Sequence, residues 1–322
     1  MTLLLPSHHK MLVKEVFLKL PISALIILSL FASGCAALHG PGPDTKMPAT
    51  EAPYPVDTIL DAQTGREVSF DEMIADLATV STVYVGETHV NADHHEVQLD
   101  ILKALYERNP DIAVGMEMFA RPYQDVLSRW VEGDLSEEAF LRKTHWYATW
   151  RFDFALYREQ LHYIRENGIP LKGINIEFHI PSKIAAGGID SLLPYQKDQV
   201  PDRIDLDDAK HRDYVKSVYD NHADHVTRHY AFEDFYAAQV VRDEFMAAEV
   251  SRHATTRQVV VFAGKGHIIR GWGIPGRAHY RTGLDYRTVK PLAAGKPVDL
   301  SAADYIWITS PAKRPAAMES PH

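Results

Sequence analysis

Residues 82–89 read Thr82-Val83-Tyr84-Val85-Gly86-Glu87-Thr88-His89, a short apolar run that changes directly into polar side chains. The run at 82–85 is continuous rather than alternating with polar residues, which is typical of a strand buried on both faces of a parallel sheet. Similar runs occur at 112–116, 170–176 and 258–263, and a fifth at 305–308. Together they predict an α/β fold built on a parallel sheet.

Helical patterns separate these strands. Asp93 is predicted to cap a helix whose apolar residues share one face. Further helices are predicted at 136–142 and 155–165, the second stopped by Asn167-Gly168. Strand–helix alternation places helices on the faces of the sheet. The stretch from about 182 to 253 lacks strand signals and is predicted to form a smaller helical lobe.

The composition is that of an ordinary globular protein. Of 322 residues, 46% are hydrophobic and 24% charged, which excludes a disordered or collagen-like chain. The net charge of −9 argues against a nucleic-acid partner. A single cysteine excludes an internal disulfide and any cysteine-based metal cluster. Histidine, with 17 copies, is the chemically active residue in surplus.

The N-terminus has the three-part layout of an export signal. Lys10, Lys14 and Lys19 precede an apolar run at 20–32, which is shorter than the roughly 20 residues that span a bilayer. Ala32-Ser33-Gly34-Cys35 then resembles a bacterial lipobox, in which the cysteine is acylated and becomes the first mature residue. The alternative is an ordinary buried cysteine beside an uncleaved membrane anchor.

These features divide the chain into a lipoprotein signal peptide at 1–34, a proline-rich tether at 35–55, a folded domain at 56–310 and a disordered tail at 311–322. The residue after the cysteine is Ala36 and not Asp, which resembles lipoproteins that are sorted to the outer membrane rather than retained at the inner one. We therefore expect an exported bacterial lipoprotein that a lipid holds at the outer membrane.

Polar side chains follow each of the first four predicted strands. Glu87 and His89 end the first strand, Glu117 the second, and Asn175 with Glu177 the third. The fourth ends in Gly264-Lys265-Gly266-His267. In open α/β sheets ligands bind beyond the carboxyl ends of the strands, so we expect Glu87, His89, Glu117 and His267 to line one crevice.

Two carboxylates and two imidazoles suit two kinds of chemistry. They could form a metal site, for which His89, Glu117 and His267 are the ligand candidates, or a histidine-based acid–base site. Other active-site motifs are absent from the sequence: Ile269 stands where a dinucleotide loop needs its third glycine, and there is no phosphate loop, HExxH pair or GxSxG elbow.

Two further clusters leave alternatives open. His222, His225 and His229 have helical spacing, which suits either a solvated helix face or a ligand-binding one. An aromatic block beside Arg151 and Arg158 suits either a core or a haem pocket whose arginines hold the propionates. The block comprises Trp146, Tyr147, Trp150, Phe152, Phe154 and Tyr157.

The sequence resembles the ChaN-like haem-binding lipoproteins of the Tiki superfamily, which also contains TraB-type proteins and erythromycin esterases. The resemblance runs from about residue 82 to 277 and rests on four blocks. These are Val85-Gly86-Glu87-Thr88-His89 with His94-His95; Met116-Glu117-Met118-Phe119; Trp150 to Tyr157 leading to Ile169-Pro170-Leu171; and Ala238-Gln239, Asp243 and Met246-Ala247 followed by Val260 to His267 and Gly273-Ile274-Pro275. Asn175-Ile176-Glu177-Phe178 departs from the Asn-Leu-Pro-Arg of relatives.

The resemblance implies a homodimer that encloses two cofacial haems, with each iron bound by a tyrosine and the propionates held by the partner subunit. On this basis Tyr157 is the first candidate ligand and Tyr147 the second. Lys265 is a candidate propionate partner, with His89 and His267 beside the cofactor. An outer-membrane haem receptor is the implied protein partner.

Two functions follow. The leading interpretation is a membrane-anchored haem-binding lipoprotein of haem or iron uptake, without turnover. The alternative is a metal-dependent or histidine-based hydrolase of the same superfamily, in which Glu87, His89, Glu117 and His267 are catalytic and a divalent metal is the cofactor. The aromatic, tyrosine-rich block favours the haem protein, because a hydrolase of small esters does not need it.

Overall fold

A computed structural model describes residues 54–221 and 230–311, and within them eight strands form one sheet. Across the sheet the strand order is β2-β1-β8-β7-β3-β6-β4-β5. The strands are β1 Ile59–Asp61, β2 Arg66–Val68, β3 Thr82–Glu87, β4 Ile112–Ala120, β5 Leu171–Asn175, β6 Gln258–Gly264, β7 Tyr286–Ala293 and β8 Tyr305–Thr309.

Strands β8, β7, β3, β6, β4 and β5 run parallel, and the hairpin β1–β2 adds an antiparallel edge. Strand β6 lies between β3 and β4 although it follows both in sequence. The carboxyl ends of these three strands are therefore neighbours, and Glu87 at the end of β3 is in register with Gly264 at the end of β6. This is the topology at which open α/β sheets bind ligands.

The predicted fold class is confirmed, and helices pack on both faces of the sheet. They are α1 Phe70–Leu77, α2 Ala92–Arg108, α3 Gln124–Val131, α4 Glu137–Thr144, α5 Trp146–Thr149, α6 Arg158–Glu166, α7 His179–Gly187, α8 Pro194–Lys197, α9 Ala209–Asn221, α10 Phe232–Ala254, α11 Lys265–Ile268 and α12 Ile274–Thr282.

The five predicted strands are confirmed, and three others were missed. Strands β1 and β2 have only three residues each, too few for a periodic signal. Strand β7 contains Thr288, Lys290 and Pro291, which break its apolar run. Pro291 is accommodated because β7 pairs with β3 only from Tyr286 to Val289, so at Pro291 the strand is paired on one side alone.

Helix α2 begins differently from the prediction. Its N-cap is Asn91, whose side chain accepts a hydrogen bond from the backbone N–H of Asp93, so Asp93 lies within the first turn rather than at the cap. Helix α6 begins later than predicted, because Phe154–Leu156 forms a separate 3-10 turn. It ends as predicted at Asn167, and Gly168 takes a left-handed φ of 62°.

The described part of 182–253 is mostly helical, as expected, and its longest helix contacts the sheet directly. The C-terminal half of α10 packs Met246 and Val250 against Val259 and Val261 of β6. Its N-terminal half packs with Ile180 and other residues of α7. Helix α10 therefore extends from the added helices across to the carboxyl ends of the strands. The domain boundaries themselves stay predictions.

Several predicted features lie outside the described residues. The signal peptide, Cys35 and nearly all of the tether are among them, as are the tail from 312 onward and the histidine run His222, His225 and His229. Within the described residues, no helix combines the length and apolar character needed to cross a membrane.

Candidate functional site

The end of β3 carries a buried histidine–carboxylate pair. The ring Nδ1 of His89 lies 2.5 Å from Oε1 of Glu87, and both side chains are almost completely enclosed. A carboxylate on Nδ1 fixes the ring orientation and leaves Nε2 as the nitrogen available to a ligand. Sequence reasoning predicted both residues, and the structure brings them together.

Glu87 has two further partners, from α2 and from the aromatic block. The Nε2 of His95 lies 3.1 Å from Glu87 Oε2, and the hydroxyl of Tyr157 donates to Glu87 Oε1 at 2.8 Å. Burial raises the pKa of Glu87, but the His95 and His89 rings more than offset this and hold the pKa far below its usual range. Glu87 is therefore an ionised carboxylate at neutral pH.

The placement of Tyr157 departs from its expected role. The side chain is completely buried in the core, and burial together with the Glu87 carboxylate raises the pKa of its hydroxyl well above the ordinary value. An iron-bound tyrosine must lose its proton, and here that would place a second negative charge beside Glu87. In this conformation Tyr157 is a hydrogen-bond donor to Glu87.

The end of β4 carries the second carboxylate of the site. Register with β5 shifts between Met116 and Ala120, and Glu117 lies in this irregular stretch. Its Oε2 accepts from the Gly264 N–H at 2.6 Å, and its Oε1 accepts from Arg242 at 2.6 Å. Burial raises the pKa of Glu117, but His267 and Arg242 more than offset this effect, so the pKa lies well below 4.5.

His267 joins Glu117 to a buried aspartate of α10. Its Nδ1 lies 2.5 Å from Asp243 Oδ1, and its Nε2 lies 3.3 Å from Glu117 Oε1. Burial lowers the pKa of His267, but the two carboxylates more than offset this and raise it to about 9. His267 is therefore an imidazolium at neutral pH and not a free base.

The glycine that ends β6 makes the close packing of the site feasible. A Cβ at Gly264 would lie 2.9 Å from His89 Cε1 and 3.4 Å from Glu117 Oε2. Glu87, His89, Glu117 and His267 thus form one cluster at the ends of three neighbouring strands, as the strand-end pattern predicted. Sequence analysis gave no role to Arg242 and none to Asp243 beyond the family resemblance. The helical spacing of Gln239, Arg242 and Asp243, which places polar side chains on one side of α10, is the signal that could have indicated them.

A cavity of about 250 Å³ opens beside His89, between the ends of β4 and β5, the segment 149–152 and the start of α7. The Trp150 and Phe152 rings lie 4.8 and 5.1 Å from the His89 ring, centroid to centroid. Besides these three, the lining residues include Glu117, Met118, Tyr123, Arg151, Asn175, Glu177, Phe178, His179 and Arg242. His89 and Glu117 line it, whereas Glu87 and His267 lie behind them.

The remaining predicted residues occupy other places. Tyr147 is on α5 and 59% exposed, and Arg158 is paired with Glu137. Lys265 is half-buried at the start of α11, near His94, and does not line the cavity. The aromatic block is therefore divided: Trp146, Phe154 and Tyr157 belong to the core, while Trp150 and Phe152 reach the cavity.

The expected metal ligands form a different kind of arrangement. In the part of the chain that the structure describes, no group of three or more His, Cys, Asp or Glu side chains is placed to hold a metal ion. Glu117 already accepts from Gly264 and Arg242, with His267 beside it, and Nδ1 of His89 is committed to Glu87. Glu117 and His267 belong to one buried ion-pair network with Arg242 and Asp243, whereas His89 is paired separately with Glu87.

Comparison with known proteins finds a matching family model and similar solved structures. A family model described as haem-binding uptake, Tiki superfamily, ChaN matches residues 73–277, which is more than half of the chain and contains the whole strand-end cluster. The structure of ChaN of Campylobacter jejuni with cofacially bound haem has a TM-score of 0.63 at 19% identity. That alignment covers 77% of this chain and 95% of that one.

Two more distant structures share less of the architecture. The type III effector HopBA1 has a TM-score of 0.45 at 14% identity, over 75% of this chain and 93% of that one. An erythromycin esterase, EreC, in its open conformation also has a TM-score of 0.45, at 16% identity over 81% of this chain and 85% of that one. A comparison with curated proteins finds no match.

Proposed function

Because the chain belongs to the ChaN family of haem-binding uptake proteins in the Tiki superfamily, we propose that it binds haem and serves haem or iron uptake at a membrane surface. The observation that carries the proposal is the extent of the family match, which spans residues 73–277 and thus the parallel sheet from β3 to β6 together with the site at its end. Bound haem would supply iron as the cargo rather than as a catalyst.

The dimensions of the site bear on where haem binds. The strand-end cavity of about 250 Å³ lies below the roughly 300–1,000 Å³ of pockets for drug-sized ligands, so it does not enclose a haem. The exposed segment beside it offers more suitable groups. Tyr147 presents an exposed side chain, and Trp150 and Phe152 follow on the same segment.

This arrangement supports Tyr147 over Tyr157 as the iron ligand. A tyrosine is protonated at neutral pH, with an ordinary pKa near 10, and it must become a phenolate to bind iron. A neighbouring carboxylate opposes the phenolate. The Tyr157 hydroxyl donates to the Glu87 carboxylate, whereas the side chain of Tyr147 is 59% exposed.

The remaining parts of the proposal concern assembly and place. A haem held at an exposed tyrosine needs cover on its other face, and a second copy of the chain is the cover we propose, giving a homodimer. The basic, apolar and lipobox segments around Cys35 support a lipid anchor in the outer membrane. A haem receptor in the same membrane is the corresponding partner.

A haem titration tests the proposal. Ferric haem is added to the purified full chain, the visible spectrum is recorded, and the same samples are analysed by size exclusion. We expect saturable binding with a tyrosinate-type ferric spectrum and elution of haem with a dimer. Absence of saturable haem binding would overturn the proposed function, and haem retained by a strict monomer would remove the shared site.

One observation favours a histidine-based hydrolase as the second candidate. His89 is oriented by an ionised Glu87, as a general base is, and it faces a cavity that Arg242 also lines. In that reading His89 Nε2 takes the proton of an attacking water and returns it to the leaving alcohol. Hydrolysis of short p-nitrophenyl esters that is lost in His89→Asn, while haem binding is kept, would support it.

A further inference from the structure

We propose that the strand-end cavity binds a small zwitterion, a molecule with one carboxylate and one ammonium group on a compact apolar frame. Its volume of about 250 Å³ suits a ligand of amino-acid size. The inference goes beyond haem binding and does not depend on it.

The cavity contains one cation that is available for a carboxylate. Arg151 lines the cavity, and among the described residues its guanidinium makes no ion pair; it lies over the Phe178 ring, 5.8 Å from the centroid. The backbone of Arg151 has a φ of 71°, a left-handed conformation that is uncommon for a residue with a side chain. Such conformations concentrate at ligand sites. A guanidinium binds a carboxylate through two parallel N–H donors.

The cavity also contains acceptors for an ammonium group. Glu177 lines it, half-buried, and has no ion-pair partner among the residues that the structure describes. Asn175 lines it as well: its amide nitrogen donates to the Glu117 carbonyl, which leaves Oδ1 buried without a hydrogen-bond partner. A buried acceptor without a donor is unfavourable, so a ligand N–H at this point contributes binding energy.

The other charges of the cavity do not compete for the ligand, because they are already paired. Glu117 accepts from Arg242 and Gly264, and it lies against the His267 imidazolium. Trp150 and Phe152 supply apolar walls. The uncompensated groups are thus one cation at Arg151 and two acceptors at Glu177 and Asn175, with apolar surface between. These groups match the carboxylate, the ammonium group and the apolar side chain of an amino acid.

The test is calorimetric titration of the full chain with leucine and with two analogues that each lack one charge. Leucinamide lacks the carboxylate, and isocaproate lacks the amine. Because a hydrogen bond to a charged group contributes strongly, we expect leucine to bind about 10-fold to 100-fold more tightly than either analogue. Equal binding of isocaproate, or no detectable leucine binding, would overturn the proposal.

Two variants test which residue binds each charged group of the ligand, and a third serves as the control. Arg151→Asn removes the cation with a residue that tolerates left-handed backbone, and it should reduce leucine affinity to that of leucinamide. Glu177→Gln should reduce it to that of isocaproate. Arg142→Gln, on the exposed surface of α4, should leave the affinity unchanged. Thermal unfolding of each variant confirms that it is folded, and unchanged leucine affinity in both cavity variants would contradict the assignment.

Discussion

Gly264 is the residue where the site is packed most tightly. Its N–H donates to Glu117, and the space where a Cβ would stand is bordered by the His89 ring. At Gly266, two residues later, the nearest neighbour of an added Cβ would be the Tyr214 hydroxyl at 3.8 Å, which is ordinary contact. The two glycines therefore provide a matched pair for testing this close approach.

We predict that Gly264→Ala destabilises the protein by about 1–3 kcal/mol, because the added methyl group must displace His89 or the end of β6. Gly266→Ala should be neutral or slightly stabilising, since alanine is the better helix former. Urea unfolding of both variants measures the difference. Equal stability of the two variants would show that the His89 ring moves aside without cost.

The buried charges predict how stability depends on pH. The folded pKa of His267 is raised to about 9 from 6.5, so its contribution is complete below pH 6.5 and is lost as pH rises through 9. The folded pKa of Glu117 is depressed below 4.5, so its contribution is present above pH 4.5 and is lost as pH falls. The stability that this network contributes is therefore greatest between about pH 4.5 and pH 6.5.

We predict that the free energy of unfolding falls by a few kcal/mol between pH 6.5 and 9 in the wild type. His267→Gln removes the titrating group, so its stability, although lower overall, should change much less over the same range. Urea unfolding at several pH values tests this. A variant that kept the wild-type slope would assign the loss to other groups.

At this scale the sequence indicated the residues better than their roles. Glu87, His89, Glu117 and His267 could be predicted because polar residues that end buried strands must meet at one edge of the sheet. The role of Asp243 could not, because a single sequence does not tell which face of α10 meets His267. Tyr157 was given an iron-binding role from the family resemblance and the aromatic block, neither of which shows the direction of a hydroxyl.

Among the elements, α2 shows how a start signal is misassigned. Asn91 and Asp93 are both good cap residues two positions apart, and the sequence does not distinguish them. In the structure Asn91 caps the helix, and this fixes the turn that follows His89. The long α10 lies in the predicted helical lobe, and its C-terminal half also packs on the sheet, which depends on tertiary contacts that the periodicity does not reveal.

The cap assignment predicts an asymmetry between two substitutions. Asn91→Ala should cost about 1 kcal/mol of stability, because the N–H of Asp93 loses its acceptor. Asp93→Ala removes only a favourable charge from the first turn and should cost less. Thermal unfolding of the two variants measures the difference. A larger loss for Asp93→Ala would instead support Asp93, the predicted cap, as the residue that caps the helix.

For the whole molecule, the parallel sheet could be predicted but its strand order could not. Continuous apolar runs indicate buried strands, whereas the insertion of β6 between β3 and β4 depends on contacts distant in sequence. That insertion brings Glu117 and His267 together. The proposed attachment of the folded domain to a membrane rests on the sequence of the N-terminal segment and is tested separately.

We predict that Cys35→Ser leaves unprocessed precursor or releases the protein from the membrane, because the thiol that accepts the lipid is lost. Membrane fractionation and intact mass measure both effects. Ala36→Ser changes the neighbouring residue but keeps the thiol, and it serves as the control. Unchanged mass and fractionation in Cys35→Ser would exclude the lipid anchor.

The central claim is that an accessible tyrosine of this chain binds the iron of haem, and the visible spectrum of the ferric haem complex tests it most directly. The wild type, Tyr147→Phe, Tyr157→Phe and Tyr195→Phe are compared; Tyr195, like Tyr147, is 59% exposed and serves as the control. We predict that only Tyr147→Phe loses the tyrosinate-type spectrum and most of the haem affinity. A wild-type spectrum in Tyr147→Phe, or its loss in Tyr157→Phe alone, would contradict the account.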